Sequence, residues 1–143
     1  MSSVDVCFEV KISEVSAEDI QEAVEATLAA EGADLELSVA IVSDEAIHEL
    51  NRQFLEHDYA TDVICFDLRD DGPGVDAEII VSADTARREA KLRNMTFKSE
   101  VLLYCIHGTL HLLGYDDHDP DDKLRMHKRQ AELLAEIGHE TTE

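Results

Sequence analysis

The sequence predicts an α/β (α+β) fold, with one domain on a roughly four-stranded mixed sheet, about five helices, and a metal site at the end of a buried helix. Three observations carry that expectation. Apolar residues alternate with a period of two and then recur at helical spacing, strand following helix, from the start of the chain. The stretch Ser99 to Leu113 is apolar nearly all round, as a helix in the middle of a domain would be. The 143 residues are enough for one real hydrophobic core, so residues 1–143 are read as a single domain.

Val4, Val6, Phe8, Val10 and Ile12 alternate with polar or small residues and give the first strand. Ser16 before Ala17, Glu18 and Asp19 reads as an N-cap with an acidic first turn, and Ile20, Val24 and Leu28 follow at helical spacing until Gly32. Leu35, Leu37, Val39 and Ile41 form a second strand, after which Ser43 caps a helix whose inner face is Ile47, Leu50 and Phe54. The polar loop His57 to Asp62 leads into the apolar run Val63 to Leu68, expected to be a central strand covered on both faces. Asp70-Asp71-Gly72-Pro73-Gly74 is the plainest turn. Ala77 to Val81 is a fourth strand, and Ser82 caps the helix holding Arg87, Arg88, Lys91 and Arg93. Gly114 stops the buried helix; Asp119 and Pro120 open a last one, with Leu124, Ala131, Leu134 and Ile137 expected inside.

Charge is the most unusual feature of the composition. Thirty-three Asp and Glu against 12 Lys and Arg leave a formal net charge of -21, a field that repels nucleic acid wherever cations are not concentrated. The carboxylates are spread over nearly every helix and turn, which suggests a surface adapted to a salt-rich cytoplasm, where screening weakens self-repulsion. Cys7, Cys65 and Cys105 are odd in number and far apart, and are expected to be small buried hydrophobes in a reducing compartment. With neither a secretory signal nor a membrane span in the pattern, the expected location is cytoplasmic.

The chemistry centres on His107 and His111. Four residues apart on a helix, their Cα directions differ by about 40°, so both imidazoles can face one point. Imidazoles at this spacing suit zinc, and an open catalytic site needs a third protein ligand with one position left for water. Asp116, Asp117 and His118, just past Gly114, are the candidates for that ligand. Unpaired ring nitrogens on an apolar helix would each cost roughly 1–3 kcal/mol, which a metal and hydrogen-bond acceptors would offset.

His107-Gly108-Thr109-Leu110-His111-Leu112-Leu113-Gly114-Tyr115-Asp116 resembles the signature of the YbeY-type bacterial endoribonucleases, or rRNA maturation factors. Leu50-Asn51 and Thr61-Asp62-Val63 resemble that family's second landmark, and the order of strands and helices agrees over nearly the full chain. The resemblance implies one zinc per chain held by three side chains, and single-strand-specific RNA cleavage in 16S rRNA 3′-end processing and ribosome quality control. It also implies ribosomal RNA as substrate; ribosomal proteins or ribosome-associated GTPases are candidate partners that the residues themselves do not identify.

Two positions depart from the family. Where its motif closes with a third histidine stands Asp117, with His118 one further on; on spacing Asp117 is the expected ligand and His118 the alternative. Where the family commonly carries an arginine stands Leu55, flanked by Arg52 and His57. His57 and Asp116 are the candidates for proton transfer or water positioning. Arg87, Arg88 and Lys91 offer a phosphate-contacting face, or else a solvated helix face paired with neighbouring carboxylates.

Two other readings stay open from the residues alone. A zinc peptidase or amidase would need a glutamate directly after the first histidine, and here that residue is Gly108. A ribosome assembly factor with purely structural zinc would share the ligands without the reaction.

Overall fold

The computed structural model describes residues 3–54, 62–70, 72–116 and 118–138. The elements run β1 (Ser3–Phe8), α1 (Ala17–Ala30), β2 (Glu36–Val42), α2 (Asp44–Phe54), β3 (Val63–Asp67), β4 (Ala77–Ser82), α3 (Ala83–Leu92), α4 (Phe97–Leu112) and α5 (Pro120–Glu136). The four strands form one sheet in the order β1-β2-β4-β3. β1, β2 and β4 are parallel, while β3 runs antiparallel to β4.

Helix starts follow the capping chemistry of the sequence. Ser16 and Asp19 form a reciprocal capping box on α1, the Ser82 hydroxyl accepts from Thr85 N–H on α3, and Asp119 accepts from Asp122 N–H on α5 with Pro120 in the first turn. The buried helix begins two residues earlier than the apolar stretch from Ser99, because Thr96 supplies the cap.

Strand alternation sorts the core into two layers. Leu37, Val39 and Ile41 of β2, with Ile79 and Val81 of β4, face α1, α4 and α5. Ala40, Val42, Ile64 and Ile80 face α2 through Ile47. Each fully buried Leu or Ile contributes about 1.5–3 kcal/mol, and most of that burial lies on the α4 side.

Five expectations are corrected. The run Val63 to Leu68 is an edge strand, and the shorter β4 lies inside the sheet. Its apolar residues are explained by cover above and below: Ile64 belongs to the α2 layer and Cys65 meets α4. Alternation in β1 ends as strand at Phe8, although Val10 and Ile12 still pack on the core. The inner face of α5 is Met126, Gln130, Leu133 and Leu134, with Leu124 70% exposed. On α2, Asn51 is buried while Phe54 is 62% exposed and meets the Phe66 ring edge-on, with centroids 6.0 Å apart. Cys7 is exposed on edge strand β1, Cys65 is half-buried and Cys105 buried, and all three are free thiols.

Candidate metal centre

α4 is mostly buried and carries its polar chemistry along one stripe. Of its 16 residues, 13 are buried, and Glu100, Tyr104, His107 and His111 recur at spacings of four, three and four, which stacks them on a single face. At the N-terminal end of the stripe Glu100 is wholly buried and takes an ion pair at 3.1 Å from Arg93. Burial pushes its carboxyl above the ordinary range, with the Arg93 charge opposing. Tyr104 is raised too, first by burial and then by the Glu100 charge. At the other end His107 is half-buried and His111 is exposed.

Helix α4 lies close against the sheet at Gly108. A Cβ there would lie 3.0 Å from Ile79 Cγ2 and 3.1 Å from Cys65 Sγ. Burial pushes the Cys65 thiol up to about 12, so it stays protonated at neutral pH and donates to the Gly108 carbonyl at 3.6 Å. A glutamate at this position, which the peptidase reading requires, would have to drive its side chain into the sheet.

The end of α4 is built to turn sharply. Gly114 adopts φ 102°; its N–H donates to the His111 carbonyl and the Tyr115 N–H to the Leu110 carbonyl, the paired bonds of a Schellman motif. Arg69, held by both carboxylate oxygens of Asp67, also donates to the Leu112 carbonyl at 3.1 Å. That places a cation at the negative end of the helix dipole. Tyr115 is fixed against Glu31, which pairs with Arg129 of α5 at 2.7 Å.

The ring of His107 meets α5. Its Nδ1 lies 2.6 Å from Oε1 of Gln130, a side chain only 5% exposed. No sequence pattern for metal sites points to Gln130, but the spacing of Met126, Gln130, Leu133 and Leu134 marks it as the one polar residue on an inward face.

The expected third corner is distributed differently among its candidates. Asp117 lies outside the described residues. Asp116 is exposed, its Oδ1 accepts from the His118 N–H, and the His118 ring stands 3.5 Å from the same oxygen with its side chain 83% exposed. Among the described residues no group of three His, Cys, Asp or Glu side chains is drawn together. Asp116 instead lines a cavity of about 430 Å³ with Leu113, Gly114, Tyr115, Asp122 and Arg125.

His57 and Leu55 also lie outside the described residues. Arg52 is on the exposed side of α2, paired with Glu49 at 2.6 Å. Arg87 is tied to Glu14 at 2.6 Å and lies over the Phe97 ring, 4.1 Å from its centroid. Arg88 pairs with Asp44 at 2.8 Å. Lys91 borders a cavity of about 260 Å³ with those two arginines, Asp44 and Asp84. Since Phe97 opens α4, this basic face sits about 15 Å along the helix from His107 at 1.5 Å per residue.

Two imidazoles, one half-buried and one exposed, at the open end of a buried helix are a donor set that fits a borderline metal such as zinc, with room for water. The fold and this end of α4 together define a class: α/β proteins that present a helix-borne histidine pair to solvent beside a mixed sheet. The family model described as Endoribonuclease YbeY matches residues 6–138. The chain belongs to the endoribonuclease YbeY family, a family named for hydrolysis of RNA phosphodiester bonds. It is 42% identical over 114 residues to Endoribonuclease YbeY of Syntrophotalea carbinolica, covering 75% of this chain and 76% of that protein. The same name belongs to a Bacillus subtilis relative, 40% identical over 114 residues, with 72% and 73% covered. A solution structure from Thermotoga maritima superposes with a TM-score of 0.68 at 32% identity, covering 94% of this chain and 88% of that one. Among the described residues no helix is long and apolar enough to cross a membrane.

Proposed function

We propose that this endoribonuclease is zinc-dependent and specific for single-stranded RNA, and that it works in the cytoplasm on the 3′ end of 16S rRNA and in ribosome quality control. The observation that carries the reading is the histidine pair at the one open end of a helix otherwise buried. His107, His111 and Asp117 would hold one zinc ion, with His118 as the alternative third ligand. When bound, zinc supplies Lewis-acid polarisation of a phosphoryl oxygen and acidifies water near neutral pH.

The protein's own residues then have the remaining tasks. Asp116, exposed at the cavity just past the end of α4, is assigned to accept the proton of the attacking water, with His57 as the second candidate. Lys91 with Arg87 and Arg88 is assigned to phosphates of the strand several nucleotides from the cut, in keeping with the offset between α3 and the pair. Arg87 and Arg88 already have carboxylate partners, so an RNA phosphate would exchange with Glu14 and Asp44, and this contact would weaken steeply with salt. Ribosomal proteins or ribosome-associated GTPases would deliver the substrate.

The test is cleavage of single-stranded against duplex RNA by the chain stripped of metal and reloaded with zinc, beside His111→Ala. We expect cleavage of the single strand only, dependent on zinc, and a fall of on the order of 10²-fold or more in the variant with its melting temperature unchanged in the zinc-free state. A His111→Ala chain that cleaves as well as the unmodified one overturns the proposal. One that loses its fold even without zinc would shift the histidine to a structural role.

A further inference from the structure

We propose that Gln130 is a positioning residue for the metal centre: its Oε1 accepts the Nδ1 proton of His107 and thereby leaves the lone pair of that ring at Nε2, the nitrogen available to a metal. The proposal rests on the reading of His107 as a zinc ligand, and deepens it by naming what selects the tautomer.

The geometry behind it is specific. Nδ1 and Oε1 are 2.6 Å apart, and the amide is brought there by α5, 23 residues further along the chain. Gln130 has little freedom to leave, being 5% exposed between Met126 and Leu133, Leu134 on a helix whose neighbouring residue, Arg129, is clamped to Glu31 at the end of α1. A neutral imidazole carries one N–H and one lone pair, and the partner of one nitrogen decides which is which. An acceptor at Nδ1 also makes Nε2 more basic and stops the ring from turning about its χ2. The half-buried ring at position 107 receives this support, whereas His111, exposed at the helix end, has room to adjust to it.

This also accounts for a polar residue on the inner face of α5, where burial without a partner would be costly. A glutamine can serve as an uncharged acceptor on one side and a donor on the other. A glutamate would keep the acceptor and add a negative charge beside the ring, and a methionine would fill similar space with neither.

Two measurements test it on the full chain. First, the zinc-free, ¹⁵N-labelled protein is recorded at a pH alkaline enough to keep its imidazoles neutral, with the His107 signals assigned by their absence from His107→Ala. We expect His107 to be protonated at Nδ1; a ring protonated mainly at Nε2 overturns the proposal. Second, zinc affinity is measured by competition with a chelator. We expect Gln130→Met to bind zinc roughly 10- to 100-fold more weakly and Gln130→Glu to restore the affinity. Unchanged affinity in Gln130→Met overturns the proposal. Should the methionine variant fail to fold, the tautomer of the unmodified chain still decides. If the unmodified chain takes up no zinc while His107 proves protonated at Nδ1, it is the zinc reading that falls and the Gln130 contact that stands.

Discussion

Glu100 and His107 lie on the same stripe of α4, about two turns apart, and each meets a polar side chain from a neighbouring segment. Their surroundings differ. Glu100 is closed off: it is wholly buried, Arg93 lies against it, and the Tyr104 hydroxyl lies beside it on the next turn. Among the described residues His107 is held at Nδ1 alone, and His111 beyond it is exposed. A polar group shut inside a core against a charged partner serves the fold. One held by a single atom, with its remaining capacity toward an opening, is equipped to meet something else. Apolar patterning alone makes the two ends of the helix look alike.

Three measurements would break or sharpen that contrast, beginning with the largest effect. Arg93→Ala strands Glu100 in the core and is expected to destabilise the protein by about 3 kcal/mol, the low end for a buried pair because the Arg93 side chain is 29% exposed. Because the Glu100 carboxyl titrates above the ordinary range, its charge becomes a burden as pH rises through that raised value. Glu100→Gln should therefore gain stability relative to the unmodified chain as pH rises, and the Arg93→Ala loss should shrink as pH falls; urea unfolding from pH 4 to 8, extrapolated to water, would show both. Flat pH profiles would mean that this end of the stripe is not closed as described.

Gly108→Ala comes next. The added methyl meets Ile79 and Cys65 at 3.0 and 3.1 Å, and an overpacked contact of this kind costs about 1–3 kcal/mol. A drop in melting temperature together with weaker zinc binding would tie the sheet contact to the aim of the histidines; a drop in melting temperature alone would confine it to the fold.

The smallest effect belongs to Asp67. Its hydrogen bonds from Arg69 hold the carboxyl down at about 2, and the pair steadies the cation that caps Leu112. A lowered carboxyl contributes stability above its unfolded value of about 4 and loses it as pH falls through the folded value. Asp67→Asn should leave an acid-unfolding curve with a weaker dependence between about pH 4 and pH 2, read by circular dichroism. An identical curve would show that Arg69 caps the helix without help from Asp67.

Much of this was legible in the residues. Ser16, Ser82, Asp119 with Pro120, and Gly114 mark helix ends through local chemistry, and all four act where local chemistry puts them. The histidine spacing on an apolar helix likewise needs only the pitch of that helix. Long-range facts were harder. Whether β3 is inside the sheet or at its edge depends on strand order, which its own apolar run does not encode. The face that α5 turns inward was legible only in part: Leu134 and Ile137 pack inward as expected, but Leu124 invites burial more than Gln130 does, until the amide is seen against His107. The pairing of Arg87 with Glu14 joins residues 73 apart, beyond any helical periodicity.

The bare position on α4 sets the helix's rotation as well as its height above the sheet. Successive residues of a helix point about 100° apart, so a slip of one place would bring His107 itself to where Gly108 now meets Ile79. The missing side chain acts as a keyway. It favours one angular setting of the helix, and that setting is the one that leaves His107 half-buried against Gln130 and His111 exposed.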